Sequence, residues 1–482
     1  MATATGRLEK YFEAYGELLA VRREREPVWL RQLREEAWAR FYAKGFPTTH
    51  DEDWRFTNLA VLARTPLARA VKGSVPVSAD EIERFRVAGA ACRLVFVNGH
   101  FTPELSAVEN LPKGLEICSL ARALDCGVEG CAPEGIEQHL GRYADVRRDV
   151  FAALNTALWE DGAYVRVRRG AAIERPVHLL YVSAGAGAEI MTHPRTLIVA
   201  EEASQAAVIE DYISVGGEVA FSNAVTELVA GEDAVFSHFL VERENLASFN
   251  VSTLRLELAR GANVSSHSIL LGGGLVRNNV HPVLGGEGAE CLINGLFVGA
   301  GQQHLDNYML VEHAQPQSSS RQFYNGILDG HARGVFHGRI VVHKDAQKTD
   351  AKQTNRNLLL SDNARIDTKP QLEIHADDVK CTHGATIGQI DEDQLFYLRA
   401  RGFSETEARN TLLYAFAAEC LGRMKEPAAR EFAEELIGER IRDLAENRRA
   451  SVSVSAAPAE SAAPAESAAP AEEDAQSWEE VG

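Results

Sequence analysis

The chain has 482 residues, 45% of them hydrophobic and 25% charged, and a formal net charge of −19 from 50 Lys and Arg against 69 Asp and Glu. Such a length exceeds one ordinary globular domain, so two or three units or a repeat architecture are expected. The acidic balance argues against nucleic acid or an anionic membrane as the main partner. With no basic-then-apolar leader and no run approaching the roughly 20 apolar residues that span a bilayer, the expectation is a cytoplasmic protein.

Residues 7 to about 72 read as helix. Leu8, Tyr11, Phe12, Tyr15, Leu18 and Leu19 recur at spacings of three and four, and Trp29, Leu30, Leu33, Ala37, Trp38 and Phe41 continue the pattern beyond a boundary at Pro27. A strand-like run, "RLVFVNGHF" (93–101), comes next, and "VFAALNTALWEDG" is again helical, with Gly162 placed to cap its end.

At Ala163 the grammar changes. Short stretches alternating apolar and polar residues, such as "RTLIVAEEASQAAVIEDYIS" and "STLRLELARGANVSSHSILLGG", are cut by Gly-Ala, Gly-Glu-Asp or Asp-Ala for some 230 residues. Repeated corner-and-strand units fit a solenoid, whose coils bury their inward side chains only by stacking. An antiparallel sandwich would read similarly, although hairpin dipeptides such as Asn325-Gly326 and Asp329-Gly330 are isolated cases.

Helix returns after "DQLFYLRARG", opened by a capping box at Ser404 and Glu407. Pro427 introduces a second helix with Phe432, Leu436, Ile437, Ile441 and Leu444 on one stripe, and the two helices together read as a hairpin. The four regions expected are 1–162, rich in helix; 163–395, the β core; 396–450, helical; and 451–482, a disordered acidic tail repeating "AAPAES".

Few residues announce chemistry. No phosphate loop is present, so no ATP site is expected in this chain, and the glycines of 270–279 and 295–304 read as tight corners. Cys126 and Cys131 are spaced like part of a ferredoxin motif but lack the following C-x₂-C; all seven cysteines are expected to be reduced. His337, His343 and Asp345, or His304, His331 and Asp329, are the histidine groupings that a fold could gather.

In "KCTHGATIGQID" (380–391), alternation places Val379, Cys381, His383, Ala385 and Ile387 on one face. A Cys-His nucleophile pair would need an orienting group and an oxyanion site, neither of which stands nearby. Thiolate and imidazole suit iron or zinc better, and a satisfied core histidine fits equally well.

The segment "QTNRNLLLSDNARIDTKPQLEIHADDVKCTHGATIGQIDEDQLFYLRARG" (353–402), with "PTTHDEDWRFTNL", "LVFVNGHF" and "FAALNTALWEDGAYVRV", resembles the SufD branch of the SufB/SufD family of iron–sulfur cluster assembly scaffolds. Unlike the SufB branch, the chain has no cysteine just before Pro370. The resemblance implies a right-handed parallel β-helix core flanked by α-helical N-terminal and C-terminal regions. It implies a non-catalytic subunit of the SUF system that pairs with a SufB-like paralogue and binds a SufC-like ABC ATPase through about 404–446. It also implies a transient iron–sulfur cluster shared with the partner, with His383 as an iron or cluster ligand at that interface and Cys381 as its possible neighbour. A β-helix polysaccharide lyase, using Asp362, Arg365 and Asp367, is the alternative, weakened by the missing secretion signal.

Overall fold

In the computed structural model, residues 2–73, 75–125, 135–185 and 187–455 are described. Cys126 and Cys131, and the tail from residue 456, lie outside them.

From Arg195 to Gly388, consecutive strands alternate between two sheets, and within each sheet successive strands, two places apart along the chain, pair in parallel. This is a parallel β-solenoid. Phe249 stands opposite Leu275, then His304, Arg333 and Arg365, steps of 26, 29, 29 and 32 residues, and this drift blurs the repeat in the sequence. The corners keep better time. Ala203, Asp233, Gly261, Gly288, Gln317 and Lys348 all have positive φ, one per coil, and the N–H of each bonds to the carbonyl of the residue preceding the next coil's corner. Four of the six are not glycine and accept the left-handed strain, because stacking fixes the corner.

The lumen is lined by residues such as Leu179, Val208, Leu256, Ile293, Phe297, Leu305 and Phe336, all essentially inaccessible. Gly295 faces Tyr324 one rung above, and a Cβ at that position would stand 2.0 Å from the tyrosine ring. Gly162 does not cap a helix. The helix ends at Leu158, and Gly162 opens the strand Gly162–Val167, where a Cβ would lie 1.6 Å from Arg195 O.

The two ends differ. At the N-terminal end, Leu115–Ser119 pairs antiparallel with Gly162–Val167, and His100–Phe101 turns back antiparallel on Cys92–Val97, so neither sheet starts with a bare parallel edge. At the C-terminal end both sheets stop on ten- and nine-residue strands, Arg365–Ile374 and Lys380–Gly388, with no further strand against them among the described residues.

Helices cover opposite outer faces. Helices Ala2–Arg22, Val28–Lys44 and Val150–Leu158 bury Tyr11, Leu18, Phe41 and Phe151 with Phe221, Phe249, Val251 and Leu275 of one sheet. Helices Glu405–Leu421 and Pro427–Ser455 lie on the other sheet, where Leu413, Ala417, Phe432, Ile437, Ile441 and Leu444 bury Ile209, Phe239, Ile269, Leu296, Val298 and Ile327. The stripe expected to await a partner is therefore consumed within the chain. Asn294 donates to Cys420 O at 3.0 Å and Asn325 to Phe416 O at 2.9 Å, so the docking is directional as well as apolar.

The "PTTHDEDWRFTNL" stretch is a strap. Trp54 lies over the Arg277 guanidinium at 4.2 Å; Thr57 donates to Asp306, which pairs with buried Arg277, and Glu52 pairs with Lys369 on the last coil. Breaking the buried Arg277–Asp306 pair would cost about 3–5 kcal/mol, whereas the Glu52–Lys369 pair is exposed and screened by water, so the strap is anchored at Arg277.

Burial holds His193 and His267 down to about 3 and His313 down to about 4, below the ordinary 6.5. Such histidines take up protons first in the unfolded chain. Their contribution is whole above pH 6.5 and is lost as pH falls toward the folded values, at no more than about 1.4 kcal/mol per pH unit each. His313→Gln, which can keep bonds to Ser318 and Ser320, should reduce the stability difference between pH 7 and pH 5 in urea unfolding; an unchanged difference would contradict this.

Candidate functional site

Cys381 and His383 sit on the terminal strand Lys380–Gly388, in register with Ala351 and Gln353 of the preceding coil. Ala351 and Gln353 point inward and are buried, so the same two positions on the last strand belong to the inward series. Alternation read the side correctly. It did not show that no coil follows: Cys381 is half-buried against the core, but His383, Ala385 and Ile387 are exposed, Ile387 by 52%. A core histidine among apolar neighbours is thereby replaced by a histidine on an open end.

Among the described residues, His383 has no side-chain hydrogen-bond or ion-pair partner. One rung below, Gln353 donates to Gln322 at 2.8 Å, while Gln353 Oε1 and Gln322 Nε2 are buried without partners, as is Thr368 Oγ1 on the other terminal strand. A buried polar atom left unpaired costs about 1–3 kcal/mol, so the last two coils hold unmet hydrogen-bonding capacity beside the imidazole.

The Cys381 thiol is pushed up from its ordinary value by burial, with a backbone hydrogen bond at Ala351 opposing and Asp350 adding to the rise. It is a protonated thiol at neutral pH, and becomes a thiolate ligand only where a cation or base is brought to it. The two donors are two residues apart on one strand, about 6.6 Å along it, and suit a soft metal, but a four-coordinate iron site needs more. Among the described residues, no three His, Cys, Asp or Glu side chains gather around a common point.

The other groupings are not brought together. His304 meets Thr57 Oγ1 at 2.9 Å, His337 bonds Gln371 at 2.8 Å, His343 pairs with Glu312 at 3.2 Å, and Asp329 receives Arg448 at 2.7 Å. Asp367 is held by Arg333 at 2.6 Å, while Asp362 and Arg365 are exposed, so the acidic set of a lyase does not assemble. The described cysteines are free thiols, with Cys92, Cys291 and Cys420 buried and pushed up to about 12.

Beside this end is a surface that the sequence reading passed over. Phe396, Tyr397 and Phe403 are 73%, 56% and 43% exposed on or just after the helix Glu392–Arg399. The adjacent "FY" of "DQLFYLRARG" was the available signal, because a helix buries at most one of two neighbours on a narrow contact.

A long two-sheet parallel solenoid, flanked by helices and ending in an exposed Cys-x-His strand, defines the class: a helix-flanked parallel β-solenoid protein. Residues 181–416 match the family described as SUF system FeS cluster assembly, SufBD core domain, and residues 6–179 match the SufBD protein N-terminal region. A SufBD-family iron–sulfur cluster assembly protein of Synechocystis is 35% identical over 387 residues, covering 78% of this chain and 84% of the relative. The iron–sulfur cluster assembly protein SufD of Escherichia coli is 34% identical over 400 residues, covering 82% and 90%, and SufD of Bacillus subtilis is 28% identical, covering 85% and 92%. The chain belongs to the SufBD family of iron–sulfur cluster assembly proteins and is a homologue of SufD. Among the described residues, no helix is long and apolar enough to cross a membrane.

Iodoacetamide labelling with peptide mapping tests the site's electrostatics. At pH 7 Cys381 should react more slowly than a free thiol yet faster than Cys92, Cys291 and Cys420; labelling of Cys381 at or above the free-thiol rate would contradict a raised pKa.

Proposed function

We propose that this chain is a non-catalytic, cytoplasmic subunit of the SUF assembly complex whose open end pairs with a SufB-like paralogue. His383 supplies one ligand to iron or to a nascent cluster at that junction, and the partner supplies the rest. The observation that carries the reading is His383 itself: an inward-series imidazole on an uncovered coil, without a partner among the described residues. Metal-bound histidines usually have their second ring nitrogen held by another group, and on this reading the second chain brings that group. The cluster is cargo, not a resident cofactor. Cys381 is a neighbour that a bound cation can deprotonate, and otherwise packs the rim of the core.

Two sheet edges ending together offer unpaired N–H and C=O groups, which favours strand-on-strand addition by a partner of the same coil geometry. His383→Ala should leave folding and partner binding intact while lowering the iron and acid-labile sulfide retained by the co-expressed complex. Iron and sulfide equal to wild type would reject His383 as a ligand.

A SufC-like ATPase binds, on the same reading, to the C-terminal helical region. Its contact is Phe396, Tyr397 and Phe403, because the apolar stripe of 404–446 is already buried on the solenoid. Deleting those helices would expose the sheet face and confuse unfolding with lost binding. Phe396→Asp with Tyr397→Asp is the cleaner change. ATPase binding should weaken more than about tenfold with the melting temperature unchanged, as for aromatic anchors at an interface, and wild-type affinity would contradict the placement.

A further inference from the structure

A groove of about 1250 Å³ runs along the solenoid between its stacked corners and the last two helices. Its floor is the turn of successive coils, at Leu246, Gly274, Gly301, Gly330 and Ser361, and Arg409, Arg440 and Arg448 stand on its helical walls. The volume exceeds the roughly 300–1,000 Å³ of small-molecule sites and suits a length of chain. In a protein of net charge −19 this lining runs the other way, with three guanidiniums against the carboxylates of Glu405 and Asp329. Arg409 pairs with Glu405 at 3.3 Å and Arg448 with Asp329 at 2.7 Å. Arg440 donates to uncharged oxygens, Val298 O at 3.2 Å and Gln303 Oε1. Asp443 stands near it, as does Glu242, which burial beside Glu244 holds well above the ordinary carboxylate range and so protonated.

Residues 456–482 follow the helix that forms one wall, and carry "AAPAES" repeats with Pro458, Pro464 and Pro470 and the acids Glu460, Glu466 and Glu472. We propose that this groove is the docking site of the chain's own segment 456–482, one repeat lying along the corners with its glutamate toward Arg440. The lengths agree. Five corners in successive coils span four strand spacings, about 19 Å, and six residues of proline-rich extended chain also span about 19 Å. Reach is ample, since Arg448 is about 10 Å of helix from Ser455 and the 27 residues beyond it extend about 80 Å in that conformation. Alanine and proline would cover Leu246 and Leu360, and glutamate would meet the guanidiniums, charge-assisted contacts that favour arginine. Tethering supplies about millimolar local concentration, so even weak contacts fill the groove.

The test uses the full chain, the full chain with Glu460→Gln, Glu466→Gln and Glu472→Gln, and a chain ending at Ser455 that keeps every described residue. Hydrogen exchange at 300–303, 329–331 and 360–362 should quicken several-fold in the shortened chain and partly in the triple variant, with the coils before residue 240 unchanged. A labelled 456–482 peptide should bind the shortened chain at least tenfold more tightly than the full chain, and less tightly at 0.5 M salt. Equal exchange in full and shortened chains, or no peptide binding at millimolar concentration, would overturn the proposal. Exchange in the triple variant identical to that of the full chain, with salt-independent peptide binding, would overturn the arginine–glutamate pairing.

Discussion

Everything in this fold depends on one coil being covered by the next. A parallel two-sheet coil has no hydrogen-bond partner and no complete core of its own; the ladder bonds, the corner bonds and the burial of residues such as Phe297 and Tyr324 all come from neighbouring coils. The ends are where that constraint bites. At the start of the solenoid, antiparallel strands close the sheets. At the finish no strand among the described residues does, and there Cys381, His383, Ile387 and Ile374 stand part-buried or exposed. An edge of two full-length strands is costly to leave bare and invites strand addition, so the architecture itself asks for a partner.

Helices on both faces serve the same constraint. They cover the outer surfaces of both sheets, and the strap of residues 47–59 ties the N-terminal helices to several coils through Trp54, Thr57 and Glu52. Since Glu52 reaches Lys369 on a terminal strand, the N-terminal region touches the open end as well as the middle of the solenoid. Among the large apolar side chains that stay exposed, Phe396 is the most exposed of the described residues, with Tyr397 and Phe403 near it along the chain.

Much of this was legible in the residues. Pro27 and the Ser404–Glu407 box mark helix starts through local chemistry, and each lies at such a start. The solenoid was legible as corner-and-strand grammar, but not its period, because coil length drifts and four of six left-handed corner positions carry Ala, Asp, Gln or Lys. Periodicity also placed Cys381 and His383 on one face with apolar neighbours. It could not say that the solenoid stops there, since a strand's own pattern is the same whether or not another follows. For the same reason the stripe from Phe432 to Leu444 looked like a docking face for another protein when it is one for this protein's own sheet.

The central claim is that the two terminal strands are a docking edge completed by a second chain of the same coil geometry. Hydrogen exchange of the amides of Arg365–Ile374 and Lys380–Gly388 measures it directly, in the isolated chain and in the co-purified complex with its paralogue. Fast exchange of the outward-edge amides in isolation and strong protection in the complex is the result this account predicts; a formed complex that leaves those amides exchanging as before would contradict it.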